Sequence, residues 1–383
     1  MESGARDAEQ VRRLFEDLAA AEGSRIPRYA ELCRAIARHE DLHGLLLSAP
    51  VGQRLPVLLL AALHDVVLRA PDTPVARWFP TVHPGAAPTG PPDDALRATV
   101  DEHREELLAL LRERQVQTNE VNRCLAWWIG LRHLCAEQPD LPVALLELGS
   151  SAGLNLRLDD YAYRIEVPDG HPLEVGRAGS PVQLGTEMRT GPWPELDGDL
   201  PPIVARLGLD RRPVDVTDPG DARWLRACVW PEQPLRQSRL AAALTAAAQD
   251  PPEVVAGDLV SDLPNAARRC TSAAAGPVHL VVLCSWVLAY VARPDRARLL
   301  DTLTELAATL RQAGGRLSLL TLESAEVVPW VVAPPPPDGA GADERLASIL
   351  AATRFDPTPG GPSATALARC QAHLVWVDRH RGG

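Results

Sequence analysis

A short apolar run followed by a glycine turn constrains the fold more than any other part of this sequence. The run is Val143-Ala144-Leu145-Leu146, and the turn that follows Glu147-Leu148 reads Gly149-Ser150-Ser151-Ala152-Gly153. Continuous apolar runs of this length are typical of strands buried on both faces of a parallel sheet. Glycines after such a strand let the backbone approach a ligand, and a helix predicted after the turn adds partial positive charge. We therefore predict an α/β fold whose ligand edge begins at this turn.

Further strand-like runs extend the predicted sheet. They lie at residues 253–256, 279–283, 316–322 and 373–377. The segment 296–312 between two of these runs has helical spacing, and alternating strand and helix patterns are typical of a parallel sheet. Residues 161–202 hold short β-like pieces among glycines and prolines, which we interpret as a β-hairpin insertion.

The first third of the chain has a different pattern. From about residue 8 to residue 135 the apolar residues recur at helical spacing. A proline- and glycine-rich stretch at 71–92 separates two groups of predicted helices. We predict an all-helical cap domain over residues 1–140 and the α/β domain over residues 141–383.

Composition excludes several classes of function. All 39 basic residues are arginine, and the absence of lysine excludes a Walker-type phosphate loop and a pyridoxal phosphate Schiff base. The net charge of −11 argues against nucleic acid or an anionic membrane surface as a partner. Seven cysteines without a C-x-x-C pair predict reduced thiols. No apolar stretch is long enough to span a bilayer, so we expect a cytoplasmic protein.

One short pattern resembles a metal-binding motif. Residues 39–43 read His-Glu-Asp-Leu-His, which on a helix would place two histidines on one face. His64 is the only nearby candidate for a third ligand, and Gly44 indicates that the helix is ending. We interpret this segment as a polar helix end and predict no metal site.

Polar residues follow the later strand-like runs in a regular order. Asp210 follows Gly208-Leu209, Asp258 follows Ala256-Gly257, and Ser285 follows the run at 279–283. This order is similar to that of the class I S-adenosylmethionine-dependent methyltransferases. The resemblance implies cofactor contacts at Glu147, Gly149, Ser151, Gly153, Asn155, Asp210 and Asp258.

The same resemblance implies a role for each of these positions. Glu147 and the two glycines would hold the methionine part of the cofactor, although Ser151 stands where the family has a glycine. Asp210 would bind the ribose, with Asp215 as the alternative, and Asp258 would contact the adenine. Ser285 would lie at the mouth of the substrate site.

Four phrases resemble an actinobacterial family known as domain of unknown function 2332. The resemblance covers most of the chain from about Glu105 onward. The phrases are Gln117-Thr118-Asn119-Glu120, Ser151-Ala152-Gly153-Leu154-Asn155-Leu156, Pro213-Val214-Asp215-Val216 and Val229-Trp230-Pro231.

Several polar and aromatic residues are candidates for substrate chemistry. The segment 117–123 is unusually polar for one that enters an apolar helix, and polar groups there need partners. These polar groups either reach a small substrate or form a buried network between the domains. Tyr161 and Tyr163 share one face of a predicted strand, and they either face the substrate or pack within the hairpin. We predict catalytic roles for Glu120, Tyr163 and Ser285, and substrate contacts for Asn119, Arg123, Tyr161 and Trp286.

The resemblance to class I methyltransferases implies an S-adenosylmethionine-dependent methyltransferase-like enzyme, which we expect to act on a small polar metabolite in secondary metabolism. The first alternative keeps the scaffold without the cofactor and closes a small nitrogen ring by intramolecular displacement. A second alternative is a serine hydrolase, because Gly149 to Gly153 also match G-x-S-x-G, with Ser151, Glu323 and His373 in the chain order of α/β-hydrolases. A third is a non-enzymatic partner of another biosynthetic enzyme.

Overall fold

The computed structural model describes residues 2–137, 140–168, 170–190, 193, 196, 198–337, 339–356 and 361–380. The chain divides into two compact units. One comprises Met1–Thr118 and Thr217–Ala241, and the other comprises Asn119–Val216 and Ala242–Gly383. This division differs from a single boundary at residue 140, because the helix that begins at Cys124 packs against strands of the sheet.

Residues 2–137 form helices and 3-10 turns, and no strand occurs among the residues described in this range. Pro56 begins the most buried helix of the first unit. The N–H group of the first residue of a helix makes no hydrogen bond within the helix, so a proline is tolerated there. The α-helices of the described chain are α1 (Glu2–Glu22), α2 (Pro27–Arg38), α3 (Glu40–His43), α4 (Pro56–Arg69), α5 (Asp93–Glu113), α6 (Cys124–Glu137), α7 (Pro219–Cys228), α8 (Pro234–Gln249), α9 (Leu263–Ser272), α10 (Arg293–Gln312) and α11 (Ala342–Arg345). None of them combines the length and apolar character that crossing a membrane requires.

The second unit is built on one sheet of eleven strands in the described chain. The strands are β1 (Val143–Leu148), β2 (Ala162–Glu166), β3 (Leu173–Gly176), β4 (Gln183–Met188), β5 (Ile203–Asp210), β6 (Val254–Ala256), β7 (His279–Ser285), β8 (Arg316–Ser324), β9 (Ser348–Arg354), β10 (Ser363–Cys370) and β11 (Trp376–Arg379). Their order across the sheet is β3-β2-β4-β11-β10-β9-β8-β7-β1-β5-β6.

The sheet is mixed, which corrects the prediction of a parallel sheet. The five adjacent strands β6, β5, β1, β7 and β8 are parallel to one another. In contrast, β9 is antiparallel to β8, and β10 is antiparallel to β9. Neither β9 nor β10 was predicted. Both are rich in alanine, which favours helices over strands, so their composition hides the strands.

The segment 161–202 is part of this sheet. β2 and β3 form an antiparallel hairpin. The β-like pieces noted in the sequence fall instead on β2 and β4, which pair in parallel, and β4 also pairs in parallel with β11. The segment therefore extends the sheet at one side. The last strand begins at Trp376, three residues later than predicted, because residues 371–375 form the turn between β10 and β11.

The segment after the glycine turn is a 3-10 helix, Leu154–Asp160, where an α-helix was predicted. The Tyr161 hydroxyl donates to the carbonyl oxygen of Leu154, and the Tyr163 hydroxyl donates to that of Leu158. These carbonyls would otherwise accept bonds within an α-helix. The segment is only seven residues long, so it does not supply the helix-terminal charge that the sequence indicated.

The two faces of the central strands carry different groups. Leu146 and Leu148 of β1 lie in the apolar core that also contains residues of α9 and α10. Glu147 therefore faces the opposite side of the sheet, because successive side chains of a strand alternate. On that side α6 approaches closely, since a Cβ on Gly130 would lie 2.6 Å from Leu320. Leu320 shares its register across the sheet with Glu147.

Gly149 is the position in the turn where a side chain is least tolerated. Its φ is +68°, and a Cβ there would lie 2.3 Å from Cγ2 of Val287. We predict that Gly149→Ala lowers the free energy of unfolding by about 2–5 kcal/mol, from left-handed strain plus overpacking. The matched control is Gly179→Ala, whose φ is +75° with nothing within 4 Å, and strain alone should cost it about 1–2 kcal/mol. Equal losses in urea unfolding would contradict this packing.

Candidate functional site

The carboxyl ends of the central parallel strands bring most of the predicted residues to one edge of the sheet. Glu147 is the penultimate residue of β1, Asp210 ends β5, and Ser285 ends β7. Asp258 follows β6 by two residues. In sheets of this kind, ligands bind outside the carboxyl ends of the strands.

Glu147 is a buried carboxyl group with one hydrogen-bonded oxygen. Asn155 Nδ2 donates to Glu147 Oε1 at 2.8 Å, and Cys124 Sγ lies 3.3 Å from the side-chain oxygen of Asn155. Glu147 Oε2 is buried without a hydrogen-bond partner among the described residues. Burial raises the pKa of Glu147 to about 8, although the bond from Asn155 and the charge of Arg123 lower it. The group is therefore mostly protonated at neutral pH, and a cation placed beside Oε2 would favour its charged form.

Arg123 links the start of α6 to the end of β7. Its Nη1 donates to Ser285 Oγ at 3.3 Å and to the Ser285 carbonyl oxygen at 3.4 Å. Its Nε donates to the Ala372 carbonyl oxygen at 3.3 Å. Arg123 is 6% exposed, so its guanidinium is a fixed positive charge beside the strand ends.

The turn between β10 and β11 is held by the polar segment before α6. Asn122 Nδ2 lies 3.0 Å from the carbonyl oxygens of Gly185, His373 and Leu374, and its Oδ1 accepts from Gly185 N at 3.1 Å. Glu120 Oε1 accepts from Asn122 N, and Glu120 Oε2 lies 3.3 Å from His373 Nδ1. The polar segment therefore forms a buried network within one unit.

Asn119 precedes this network and is 6% exposed. Neither of its side-chain polar atoms has a hydrogen-bond partner among the residues that the structure describes. The predicted contact between Asn119 and a substrate stays a prediction.

The glycine turn is filled largely by the protein itself. The space beside Gly149 holds Val287, and the space beside Gly153 holds Pro252 and Val254. Ser151 has a φ of +54°, which is rare for a residue with a side chain.

Asp210 stabilises this turn through backbone amides. Its Oδ2 accepts from Ser151 N at 2.8 Å, and its Oδ1 accepts from Arg212 N at 2.7 Å. A ribose at Asp210 would therefore share the carboxylate with these amides. A carboxylate has about four acceptor positions, which leaves capacity for a ligand hydroxyl.

Asp258 lines a surface groove of about 310 Å³. Arg211 donates to Asp258 Oδ2 at 2.7 Å, and this bond with two backbone amides holds the pKa of Asp258 at about 2. The groove is lined further by Tyr290 and by Asp295 and Arg298 of α10. Neither Arg211 nor Tyr290 was predicted, although the adjacency of Arg211 to Asp210 was a signal in the sequence.

The two tyrosines predicted at the substrate are engaged by the fold. Tyr161 and Tyr163 are both buried, and each hydroxyl donates to a carbonyl of the segment Leu154–Asp160. Burial raises the pKa of both groups well above the ordinary value of tyrosine. Tyr163 also packs against Trp128, with ring centroids 5.0 Å apart.

Glu323 anchors the loop after β7 on the other face of the sheet. Its Oε1 accepts from Val287 N at 2.8 Å and from Leu288 N at 2.9 Å. Burial raises its pKa to about 7, against these bonds and the charge of Arg123. Trp286, at the start of this loop, has a φ of +54° and donates from Nε1 to Ser348 Oγ at 3.1 Å. The sequence indicated Glu323 only as the acid of a hydrolase.

The segment with two histidines at 39–43 makes local contacts. His39 Nε2 lies 2.6 Å from Asp93 Oδ1, and His43 Nδ1 lies 3.3 Å from the Ile36 carbonyl oxygen. Across the described chain, no cluster of three or more histidine, cysteine, aspartate or glutamate side chains is arranged to hold a metal ion.

Comparison with known proteins identifies the family. The family model described as "Uncharacterized protein conserved in bacteria (DUF2332)" matches residues 12–379. The chain belongs to this family. Membership in DUF2332 confirms the family predicted from the four sequence phrases. No curated protein and no solved structure matches the chain.

The raised pKa of Glu147 predicts a pH-dependent stability. Its folded pKa of about 8 lies above the ordinary 4.5, so its contribution is fully present below pH 4.5 and is lost as pH rises toward 8. Glu147→Gln has no carboxyl group that loses a proton in this range. The free energy of unfolding of the variant, relative to that of the wild type, should therefore rise as the pH increases from 4.5 to 8. One pKa unit is about 1.4 kcal/mol, so the gain is at most about 5 kcal/mol. A difference between the two proteins that does not change with pH in urea unfolding would contradict the assignment.

Proposed function

We propose that this chain is a methyltransferase-like enzyme that binds S-adenosylmethionine at the carboxyl edge of the sheet and acts on a small polar metabolite. Glu147 is the observation that carries the proposal. It is a fully buried carboxyl group at the end of the central strand, with Oε2 unpaired among the described residues. A buried acceptor without a partner costs free energy, so a ligand that donates to it is favoured.

The strand order supports a doubly wound, Rossmann-like core. The parallel strands β6, β5, β1, β7 and β8 stand in the order 3-2-1-4-5 when they are numbered along the chain. In such sheets the ligand crevice lies where the strand order reverses, which here is between β1 and β7. Glu147 and Ser285 lie at this point.

The residues present fit the cofactor in part. Glu147 Oε2 fits the ammonium group of its methionine end, and the Asp258 groove offers a carboxylate and Tyr290 to its adenine end. Asp210 ends β5, the strand between β1 and β6, and its carboxylate keeps acceptor positions for a hydroxyl group of the cofactor. When bound, this cofactor supplies a methyl group on a positively charged sulfur.

The chain's own residues would bind and orient the cofactor and the substrate. Glu147 would hold an ammonium group, and Arg123 would fix the Ser285 end of β7 beside it. The burial of Glu147, Arg123 and Ser285 excludes water, which favours an in-line displacement over hydrolysis. The engaged hydroxyl of Tyr163 has no part in this chemistry.

The cofactor-free ring closure is favoured by a separate observation. Protein side chains fill the space beside Gly149 and Gly153, and loop amides already bond both oxygens of Asp210. These features reduce the space and the hydrogen-bonding capacity that the glycine turn and Asp210 offer to S-adenosylmethionine. Turnover of a substrate that carries both an amine and a leaving group, without S-adenosylmethionine, would identify this activity.

The hydrolase receives less support from the contacts. Glu323 accepts from the loop after β7, and His373 contacts Glu120, so neither is paired with the other as a triad requires. Ser151 lies in the turn held by Asp210. We therefore prefer a transferase.

We further propose a cytoplasmic location and a small-molecule substrate, with no nucleic acid or membrane as partner. The seven cysteines are all free thiols, which is typical of a reducing compartment. A second biosynthetic enzyme is a further candidate partner, and the net charge of −11 disfavours a polyanion such as nucleic acid.

Calorimetric titration tests the proposed cofactor. We expect wild-type protein to bind both S-adenosylmethionine and S-adenosylhomocysteine, and we expect Glu147→Gln and Asp258→Asn each to weaken binding about tenfold or more, from loss of a charged hydrogen bond. Asp250→Asn is the matched control, because this exposed acid pairs with Arg157 and is not among the residues that line the Asp258 groove. Unchanged binding in both site variants, or no binding by the wild type, would contradict the proposal.

A further inference from the structure

Cys124 contacts the residue that donates to Glu147, and the proposed chemistry does not yet use this thiol. Cys124 Sγ lies 3.3 Å from Asn155 Oδ1 and 3.8 Å from the Asn155 carbonyl oxygen. Asn155 Nδ2 donates to Glu147 Oε1 at 2.8 Å. Cys124, Asn155 and Glu147 are all buried, and we call their contacts the thiol–amide–carboxyl chain.

The thiol sets the direction of the hydrogen bonds in this chain. Burial raises the pKa of Cys124 well above its ordinary value, so the thiol keeps its proton and acts as a donor. In the amide of Asn155, Oδ1 only accepts and Nδ2 only donates. An S–H group that donates to Oδ1 therefore turns Nδ2 toward Glu147. Without that donor the reversed amide is also favourable, because Oδ1 then accepts from a protonated Glu147.

The backbone that carries Asn155 is fixed by two tyrosines. The Tyr161 hydroxyl donates to the carbonyl oxygen of Leu154, and the Tyr163 hydroxyl donates to that of Leu158. The amide of Asn155 therefore changes its orientation by rotation of its side chain, and the thiol of Cys124 selects between the two orientations.

The orientation of this amide decides which oxygen of Glu147 is presented to a ligand. Oε1 accepts from Asn155, whereas Oε2 is buried without a hydrogen-bond partner among the described residues. An oxygen that already accepts a hydrogen bond is a poor position for a proton, so the proton of the neutral carboxyl group lies on Oε2. A ligand ammonium group that reaches Oε2 must replace this proton.

We infer that Cys124 is a positioning residue, which acts through the amide of Asn155 so that Glu147 binds an ammonium group at Oε2 in exchange for a proton. The inference rests on the proposed function and narrows the ligand to one that carries an ammonium group, as the methionine end of S-adenosylmethionine does. In the exchange the Oε2–H bond breaks and the proton passes to solvent. The carboxylate then pairs with the ammonium group.

Other charged and titratable groups act on this exchange. Burial raises the pKa of Glu147 most, the bond from Asn155 and the charge of Arg123 lower it, and the charge of Asp210 raises it. The groups around Glu147 that keep their protons, because burial raises the pKa of each well above its ordinary value, are Cys124, Tyr161 and Cys284. A variant of Cys124 leaves all the others in place.

The thiol–amide–carboxyl chain is tested first without ligand. Carboxyl-carbon NMR of the full chain follows the titration of Glu147, whose signal is the one missing in Glu147→Gln. We expect the midpoint to rise by about one pH unit in Cys124→Ala, because a reversed amide stabilises the neutral carboxyl group. Cys124→Ser should return it close to the wild-type value, because its hydroxyl also donates. The control Cys135→Ala, which removes another buried thiol of α6, should leave it unchanged.

Three results of this titration would overturn the role of Cys124. They are an unchanged midpoint in Cys124→Ala, a failure of Cys124→Ser to restore it, and an equal rise in Cys135→Ala, which would indicate loosened packing of the helix. Cys124→Val, which keeps an apolar side chain without the donor, gives the same test if the alanine variant does not fold.

Proton release on binding is tested by calorimetry at pH 7 in buffers of different ionisation enthalpy. We expect S-adenosylhomocysteine to release about 0.9 proton per site, because a group with a pKa of about 8 is mostly protonated at this pH. Methylthioadenosine, which lacks the ammonium group, should release none. Cys124→Ala should bind S-adenosylhomocysteine up to about tenfold more weakly, since one pKa unit changes the equilibrium tenfold. Its affinity for methylthioadenosine should equal that of the wild type.

The two kinds of failure are distinguishable. A wild type that binds neither nucleoside contradicts the proposed function, and the titration without ligand still decides the role of Cys124. A wild type that binds S-adenosylhomocysteine without releasing a proton overturns this inference alone. The same holds for a Cys124→Ala variant that binds S-adenosylhomocysteine with wild-type affinity.

Discussion

The structure depends on keeping the carboxyl group of Glu147 buried at the end of a central strand. Removing a charge from water costs several kcal/mol unless partners compensate for it. Here the partners are the amide of Asn155 and the charge of Arg123, and the raised pKa leaves the group mostly protonated at neutral pH. The elements around β1 are therefore arranged to hold one polar group in an apolar layer.

The burial of Glu147 explains why the polar residues at this edge of the sheet are divided between its two faces. Glu147, Arg123 and Ser285 lie on the side of α6, where Asn155 and the segment before α6 supply polar partners. Glu323 lies on the side of α9 and α10, and its carboxylate holds the loop after β7 through two amides. Val287 of that loop fills the space beside Gly149, so the glycine turn and the loop support each other.

The sequence was most informative where one interaction dominates the local structure. The run that forms β1 and the turn at Gly149 could be predicted, because strong apolar character and required left-handed φ values leave clear signals. β9 and β10 could not, since their alanines carry little strand propensity and only pairing with β8 makes them strands. The contact between Glu120 and His373 was hidden because the two residues are 253 positions apart in the sequence and only the fold brings them together.

Hydrogen–deuterium exchange with and without S-adenosylmethionine tests the central claim most directly, that the ligand binds at the carboxyl ends of the central strands. The account predicts slower exchange on ligand addition in residues 147–155, 256–262 and 285–292, with no change in α1 to α4. Protection confined to other segments, or no protection at saturating ligand, would contradict the placement of the site.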